Sequence, residues 1–572
     1  MPEPNDFSPH ILAAGRALSR RHLLAALTGA GIGTVAFQRA LAAQVEQVGK
    51  ITPQLIEQSE WIAGIELSEE DRQSVADAVQ RDQRKLELLR QVDLENSVPP
   101  ALTFFAAPPQ RTTAKIDRQA IRPLPGKAAV ERPATDDDLA FLPVTQLAAL
   151  LKAKKVSSTE LTKLYLARLK KFDPLLKCVV SLTEELALKQ AARADEEIAA
   201  GKYRGPLHGV PWGAKDLIAV PGYKTTWGAK HYQDQSLDVL ATVARLLEDA
   251  GAVLLAKLSV GALAWGDEWF GGLTRNPWNP AEGSSGSSAG STSAVVAGLV
   301  GFALGSETLG SIVSPCRRCS ASGLRPTFGR VSRFGCMTLC WSMDKIGPIA
   351  RSIEDCAIIL GAIHGSDPND ISAVDQPFVW PPPHKVDSLK VGYFEGDRPA
   401  EEKRAIDVLK KLGVTLVPIK LPKKYPVGAL TLILNTEAAA AFDDLTRASV
   451  REGIGKWGTT FRQGQFVTAV DYLRANRIRT LVMQEMAEVM QGIDAYVGGD
   501  DLVLTNYTGH PTVIVPDGDR EGSSSGQPGT ITFTGTLFGE SKLLALAHAY
   551  QQASDAHQKR PPLDELAAKP KD

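Results

Sequence analysis

Hydrophobic and polar residues alternate in two different ways along this chain of 572 residues. Some apolar runs are short and rich in β-branched side chains, which is typical of buried strands, whereas others repeat with helical spacing. A capping box formed by Ser157 and Glu160 predicts the start of a helix whose apolar side chains share one face. The strand-like runs are residues 253–255, 391–394 and 513–515, and the helical ones are residues 353–363 and 541–553. Because the two kinds of run alternate, the pattern predicts an α/β fold.

The outer parts of the chain differ from its centre. Residues 43–97 are predicted to form a helical N-terminal preface, in which Ser68 and the acidic residues after it favour a helix start. Residues 98–136 contain many prolines and predict an extended linker, because proline disfavours helices and central strands. We expect the main domain at residues 137–555, followed by a polar and loosely held tail at 556–572.

The first 42 residues are predicted to be an export signal. Arg20 and Arg21 precede a weakly apolar run, and residues 40–42 form a small-x-small cleavage pattern. This order resembles a twin-arginine signal peptide, and the run is too short for a bilayer span of ~20 apolar residues. We therefore expect a bacterial protein that meets the membrane only during export and works in the periplasm or another extracytoplasmic compartment. An ordinary amphipathic helix is the alternative.

Composition excludes several classes of protein. Hydrophobic residues make up 44% and charged residues 23%, which is typical of a globular chain with a substantial core. The 64 basic residues are balanced by 65 acidic ones, so that no basic field attracts nucleic acid and no nucleic-acid partner is expected. At ~150 residues per domain, the length allows either several domains or one large catalytic core.

Residues 283–291, a run of glycines and serines, are the first candidate for chemistry. A phosphate-binding loop would need a lysine that is missing here, and a flexible linker would not be followed by the apolar residues 294–304. The run also contains a Gly-x-Ser-x-Gly pattern centred on Ser288, as in a nucleophile elbow. That elbow requires a buried strand before it, and the prolines of residues 276–282 disfavour one.

Several further motifs occur in a fixed order around this run. They are Gly-Val-Pro-Trp-Gly-Ala-Lys-Asp at 209–216, Asn-Pro-Trp-Asn-Pro at 276–280, Gly-Ser-Ile at 310–312 and Gly-Leu-Arg-Pro-Thr-Phe-Gly-Arg at 323–330. Together they resemble the amidase signature family, and the resemblance extends over residues 137–555. It implies an amidase signature fold, with a mixed β-sheet core covered by helices on both faces.

The same resemblance implies a catalytic triad of Lys215, Ser287 and Ser311. Ser284 competes with Ser287 for the middle position. The spacing of 24 residues between Ser287 and Ser311 fits the family, whereas the spacing of 27 from Ser284 does not. Taken singly, each of these residues is better explained as a surface lysine or as a serine in a turn, but together and in the family context they favour an active site.

The implied chemistry is amide hydrolysis without a cofactor or a metal. A lysine kept neutral by burial can act as a base, so that Lys215 would take a proton from Ser287 while Ser287 takes one from Ser311. Ser311 would attack the amide carbonyl and form an acyl-enzyme, which water later hydrolyses. The backbone N–H groups expected to stabilise the oxyanion are those of Thr308, Leu309, Gly310 and Ser311.

The sequence leaves three functions open. The first is an exported amidase that cleaves a carboxamide or an aryl amide as a small-molecule substrate. The second is the ammonia-supplying A-type component of a glutamine-dependent tRNA amidotransferase, against which the export signal argues. The third is a binding protein without activity, because Leu309 and Val313 stand where the family commonly has glycine and arginine. The substrate and the oligomeric state are not predicted.

Four of the six cysteines have a spacing that resembles a zinc ribbon. They are Cys316, Cys319, Cys336 and Cys340. Because Cys319 matches a common cysteine of the family, buried free thiols are the default expectation, while a disulfide and a metal site remain alternatives.

Overall fold

The computed structural model describes residues 50–95, 97–102, 121–124, 130–499, 501–520, 522–523 and 526–568. The predicted export signal lies outside this part of the chain, as does most of the proline-rich linker. Among the described helices, none has both the length and the apolar character needed to cross a lipid bilayer.

Fifteen strands are present in the described ranges. They are β1 (Val179–Leu182), β2 (Pro211–Lys215), β3 (Val253–Leu258), β4 (Glu268–Trp269), β5 (Gly272–Leu273), β6 (Arg275–Asn276), β7 (Asn279–Gly283), β8 (Phe302–Glu307), β9 (Ser322–Arg325), β10 (Lys345–Ala350), β11 (Lys390–Phe394), β12 (Thr415–Ile419), β13 (Ala495–Val497), β14 (Thr512–Asp519) and β15 (Pro528–Gly535).

The α-helices of the same ranges lie before, between and after these strands. They are α1 (Pro53–Ala63), α2 (Glu69–Arg90), α3 (Asp136–Ala140), α4 (Val144–Lys152), α5 (Ser158–Leu176), α6 (Glu184–Ala199), α7 (Thr242–Asp249), α8 (Ala289–Val296), α9 (Val313–Cys319), α10 (Ile353–Ile363), α11 (Ala400–Lys411), α12 (Thr431–Ala441), α13 (Asp443–Arg447), α14 (Trp457–Gly464), α15 (Ala469–Met490), α16 (Leu502–Thr508), α17 (Glu540–Gln552) and α18 (Leu563–Ala568).

Eleven of the strands form one mixed sheet in the order β1-β3-β2-β8-β10-β9-β14-β15-β13-β11-β12. Strand β2 runs parallel to both of its neighbours, β3 and β8, whereas β8, β10, β9, β14 and β15 pair with one another antiparallel. Helices cover both faces of this sheet, so the α/β fold with a mixed sheet is confirmed. The predicted strand and helix runs, and the helix capped by Ser157, are confirmed as well.

Helix α8 approaches the sheet closely because its residues are small. All eight of its residues are buried. A side chain at Gly290 would place its Cβ 2.4 Å from the backbone nitrogen of Ser259 and 2.5 Å from the carbonyl oxygen of Cys178. Because only glycine permits this approach, the N-terminal end of α8, with its serines, lies directly against the central strands.

The N-terminal preface packs against the main domain. Ser68 caps α2, as its sequence predicts. At the far end of this helix, Arg90 forms an ion pair with Asp471, and Asp82 accepts a hydrogen bond from Gln463. Helix α2 is therefore held by the C-terminal half of the chain. The proposed boundaries between preface, linker, domain and tail stay predictions.

The tail differs from its prediction, which was a loosely held segment. Leu563 is buried, Arg560 forms an ion pair with Asp138, and Lys171 forms one with Asp564 of helix α18. These contacts hold the tail, up to residue 568, against helices α3 and α5. The sequence shows a polar segment but not the apolar anchor within it, which explains the error.

Candidate active site

Lys215 is the last residue of β2 and has no exposed surface. Its Nζ lies 2.7 Å from the Ser287 Oγ, 2.8 Å from the Ser306 Oγ and 3.0 Å from the Ser288 Oγ. The Ser306 carbonyl oxygen completes this shell at 3.2 Å. None of the ion pairs formed by the described residues includes Lys215, so its amine is surrounded by neutral oxygen atoms.

Burial lowers the pKa of Lys215 well below its usual value, because a charged amine loses its hydration in the interior. The charges of Asp344 and Glu307 act in the opposite direction but do not offset the effect of burial. An amine with a lowered pKa is neutral over more of the ordinary pH range and can accept a proton. This is the property that a lysine base requires.

Ser287 lies in the turn before α8, and its hydroxyl contacts the Lys215 amine. The peptide bond between Gly286 and Ser287 is cis. Ser284, the competing serine, is also buried, but its hydroxyl donates to the carbonyl oxygen of Ser285. The structure therefore brings Ser287, and not Ser284, to the lysine.

Ser311 joins this group through the main chain. The N–H of Ser288 donates to the Ser311 carbonyl oxygen at 3.1 Å, and Ser311 is 8% exposed. The hydrogen bonds of the described residues include none between the hydroxyls of Ser287 and Ser311. Ser311 thus lies in the turn that borders the Lys215–Ser287 pair, with its side chain not engaged by that pair.

The turn before Ser311 presents free N–H groups. Gly310 has a φ of 94°, a conformation that favours glycine, and an added Cβ there would lie 2.8 Å from the Ser314 Oγ. Within the described ranges, no acceptor is recorded for the N–H groups of residues 308–311. Four backbone donors in one turn could bind an oxygen atom that becomes negatively charged.

Comparison with known proteins decides the family. The family model described as Amidase matches residues 160–499. The chain belongs to the amidase signature family. Among its relatives, the glutamyl-tRNA(Gln) amidotransferase A subunit of Methylococcus capsulatus is 33% identical over 484 residues, which cover 73% of this chain and 98% of the relative. The protein of the same name from Azotobacter vinelandii is 34% identical over 483 residues and is covered to 99%.

Solved structures agree with this assignment. The native peptide amidase from Stenotrophomonas maltophilia is 30% identical, with a TM-score of 0.65, and the match covers 73% of this chain and 98% of that one. A bacterial aryl acylamidase of the amidase signature family has the same TM-score at 22% identity, which shows the shared fold. The chain is an amidase-family enzyme, and these similarities support hydrolytic cleavage of an amide C–N bond.

The two departures from the family pattern are accommodated without disturbing the lysine and the serines of this amidase. Leu309 is partly buried and packs on a hydrophobic cluster that contains Met343 and Leu504, so its side chain leaves the turn. Val313 is buried in the main core. Neither side chain takes a hydrogen bond from the turn, because both are hydrocarbon.

The elbow interpretation centred on Ser288 has little support in the geometry. The Ser288 hydroxyl donates to the Ser306 carbonyl oxygen at 3.0 Å and accepts from the Ser306 N–H at 3.1 Å. The strand before it, β7, pairs only with β6 in a separate two-stranded sheet. Ser288 is therefore a buried link between α8 and β8 rather than an exposed nucleophile at the end of a central strand.

All six cysteines are free thiols, and five of them are buried. Within the described ranges, no group of three or more His, Cys, Asp or Glu side chains is arranged to hold a metal ion. Cys340 Sγ donates to Glu437 at 3.1 Å, which gives this thiol a structural partner.

Sequence reasoning missed three residues around the site. Ser306 contacts Lys215, and a signal for it exists, because parallel neighbours β2 and β8 place their carboxyl ends side by side. Asp344 accepts a hydrogen bond from Thr308 at 2.5 Å and lies directly before β10, while Asn506 reaches Glu307 from α16. The last two contacts join residues far apart in sequence, so that no local pattern indicates them.

Proposed function

We propose that this protein hydrolyses a carboxamide or an aryl amide through a triad of Lys215, Ser287 and Ser311 and an acyl-enzyme on Ser311. The observation that carries the proposal is the Lys215 amine, buried among hydroxyls and 2.7 Å from the Ser287 Oγ. No His is needed as base, because a neutral lysine can take the proton.

In this mechanism Lys215 accepts the proton of Ser287 as Ser287 accepts that of Ser311. The Ser311 oxygen forms a bond to the amide carbon, and the carbonyl oxygen becomes an oxyanion facing the N–H groups of residues 308–311. The proton then returns along the same path to the leaving nitrogen, and the C–N bond breaks. Water subsequently attacks the ester carbon and gives a proton to the Lys215–Ser287 pair. The bond from the acyl carbon to the Ser311 oxygen then breaks, this oxygen takes the proton back, and the acid is released. The chain's own residues supply every proton transfer, and no cofactor takes part.

The peptide amidase that matches this chain, at 30% identity, makes peptide amides the first substrates to screen, followed by aryl amides. The purified protein should first be treated with a fluorophosphonate probe, and the adduct located by peptide mass spectrometry. Labelling at Ser311 that weakens in Lys215→Ala and Ser287→Ala is expected. Labelling at Ser288 that ignores Lys215 would favour the elbow instead, and a well-folded protein without any label would favour a binding role.

A second function remains a candidate because of the matching glutamyl-tRNA(Gln) amidotransferase components, nearly the full length of which this chain covers at 33–34% identity. Such a role would require a protein partner that receives ammonia. Affinity purification from the native host tests it: a stoichiometric partner protein together with glutaminase activity would favour this function, whereas a single active chain would favour the amidase.

We also propose that the protein is exported through the twin-arginine route and works outside the inner membrane. The support is the order of Arg20-Arg21, the apolar run and residues 40–42. Residues 1–50 fused to a fluorescent reporter should deliver it to the periplasm, and Arg20→Lys with Arg21→Lys should retain it in the cytoplasm. Equal distribution of the two reporters would contradict the proposal.

A further inference from the structure

A single carboxylate lies beneath the turn that carries Ser311. Glu307 ends β8, and its Oε2 accepts hydrogen bonds from the N–H groups of Ile312 and Val313, both at 2.8 Å. These are the two residues directly after Ser311. The side chain of Glu307 therefore closes a loop that begins at its own backbone and contains the whole turn of residues 308–311.

The other carboxylate oxygen is held from a different part of the chain. Glu307 Oε1 accepts from Arg325 Nη1 at 3.0 Å and from Asn506 Nδ2 at 2.8 Å. Neither Glu307 nor Arg325 has any exposed side-chain surface. The carboxylate thus connects the turn on one side with β9 and α16 on the other.

Arg325 is itself fixed in place. Its Nη2 donates to the His510 carbonyl oxygen at 2.8 Å and to the Thr512 Oγ1 at 2.6 Å. Arg325 and Thr512 are also paired residues of the neighbouring strands β9 and β14. The guanidinium group is therefore anchored to residues outside the turn, on the central sheet and next to it.

The charge of Arg325 keeps this connection intact. Burial alone would raise the pKa of Glu307, but Arg325, Lys345 and the hydrogen bonds from Val313 and Asn506 lower it to about 2. A protonated carboxyl group would offer its N–H partners weaker hydrogen bonds, because charged acceptors bind more strongly than neutral ones. The ionised form is thus available to hold the turn.

We propose that Arg325, acting through Glu307, is a positioning residue that holds Ser311 and the N–H groups of residues 308–311 in the geometry that catalysis requires. The inference rests on the proposed role of Ser311 as nucleophile. A catalytic group and its oxyanion donors must be held to within ~0.5 Å, and a buried charged clamp that joins the turn to the sheet is suited to that task.

A second buried pair provides a matched control. Arg330 Nη2 lies 2.7 Å from Glu540 Oε2, both side chains are fully buried, and Glu540 Oε1 accepts from the Thr327 N–H at 2.9 Å. This pair also combines a guanidinium, a carboxylate and a backbone N–H. It holds residue 327 and has no hydrogen bond to the turn of Ser311 among the described residues, so that breaking it reports the stability effect alone.

The experiment compares Arg325→Met, Arg325→Lys and Arg330→Met in the full chain. The rate constant for fluorophosphonate labelling of Ser311 and the urea midpoint are measured for each, together with hydrogen exchange of peptides that span residues 308–319. We expect Arg325→Met to label at least about tenfold more slowly than the wild type, as expected for misplaced oxyanion donors, and to exchange faster in this segment. Arg325→Lys should recover most of the rate. Arg330→Met should lose stability but label within about twofold of the wild type, because the transition-state donors are untouched.

The outcomes separate this inference from the proposed function. A wild type that is not labelled at Ser311 would overturn the proposed function, and with it the role assigned here. If the wild type is labelled and Arg325→Met keeps its rate, or Arg330→Met slows equally, Arg325 has no positioning role. Should Arg325→Met fail to fold, Glu307→Asp replaces it: this variant keeps the charge but shortens its reach by one methylene group. It should slow labelling about as much, and an unchanged rate would overturn the inference.

Discussion

Ser306 and Glu307 are consecutive residues of β8, and their side chains leave the sheet on opposite faces. On the Ser306 face lies the Lys215 amine, among hydroxyl and carbonyl oxygens. On the Glu307 face lies the Arg325 guanidinium. Lys215, Glu307 and Arg325 are all fully buried. One strand thus separates two ionisable sites that have the same burial and different partners.

On the Glu307 face charged and N–H partners overcome the effect of burial, whereas on the Ser306 face burial decides the protonation state. Burial removes hydration from any ion, so both groups are driven towards their neutral forms. Lys215 has only neutral partners within hydrogen-bonding distance, and its pKa falls. Glu307 has a cation and backbone N–H groups, and its pKa falls as well, which for a carboxyl group means that it stays ionised. The first face therefore supplies a base, and the second supplies a fixed charge.

The largest expected effect comes from removing the base. Lys215→Met keeps a side chain of similar length but cannot accept a proton. We expect kcat/KM for amide hydrolysis to fall by about 10²- to 10⁴-fold, the usual contribution of a general base. In the wild type, activity should rise with pH through the lowered pKa of Lys215, which lies well below 10.5. The pH–rate profile from pH 5 to 10 measures both effects.

Lys257 offers the control for this substitution. It is an equally buried lysine on the neighbouring strand β3, but its Nζ forms an ion pair with Asp216 at 2.9 Å. Lys257→Met should destabilise the fold, and it should leave the rising limb of the pH profile at the position seen in the wild type. If the rising limb is lost in Lys257→Met and kept in Lys215→Met, then Lys257 and not Lys215 is the base.

A smaller effect should follow from placing a charged partner beside Lys215 on the Ser306 face. Ser306→Asp places a carboxyl group beside the Lys215 amine, and an opposite charge raises the pKa of a lysine. The rising limb of the pH–rate profile should then move to higher pH, and at any pH on the limb a shift of one unit lowers the activity by about tenfold. Ser306→Asn has nearly the same shape without the charge and should leave the limb in place. An equal shift in both variants would show that shape alone matters.

The sequence indicated the first face much better than the second. Lys215, Ser287 and the turn that ends at Ser311 each lie in a short motif whose residues are local, and the strand and helix runs around them carry clear periodicity. The choice of Ser287 over Ser284 required only a spacing. The geometry gives Ser287 the contact with Lys215 and leaves Ser284 without one, although the catalytic roles of these residues stay predictions until they are labelled.

The second face could not be predicted because its contacts are long-range. Arg325 was visible as part of a motif, but its ion pair with Glu307 depends on the antiparallel order β8-β10-β9-β14, which brings residues 307, 325 and 512 together, while Asn506 reaches Glu307 from helix α16. Strand order follows from the packing of the whole sheet and not from local periodicity. For the same reason the polar tail was expected to be loose, although Leu563 anchors it.

A prediction about stability concerns Lys345, another buried lysine, which lies on the Glu307 face. It is paired with Glu307 across strands β10 and β8, and its Nζ donates to the Met343 carbonyl oxygen. Burial, together with the charge of Arg325, lowers its pKa from 10.5 to about 7. Between these values the unfolded chain binds a proton that the folded protein does not, so stability should rise with pH across this window.

Lys345→Met removes that proton and therefore this part of the pH dependence. The free energy of unfolding of the variant should exceed that of the wild type most at pH 7 and below. This difference should shrink by at most about 1.4 kcal/mol for each pH unit towards pH 10. Urea unfolding of both proteins at pH 6, 7, 8 and 9 measures this difference. Groups that titrate in both proteins contribute equally to the two free energies and therefore cancel. A difference that stays constant would mean that Lys345 keeps its proton in the folded protein. The Glu307 face would then hold two cations, Arg325 and Lys345, beside Glu307. Its difference from the neutral surroundings of Lys215 would be even larger.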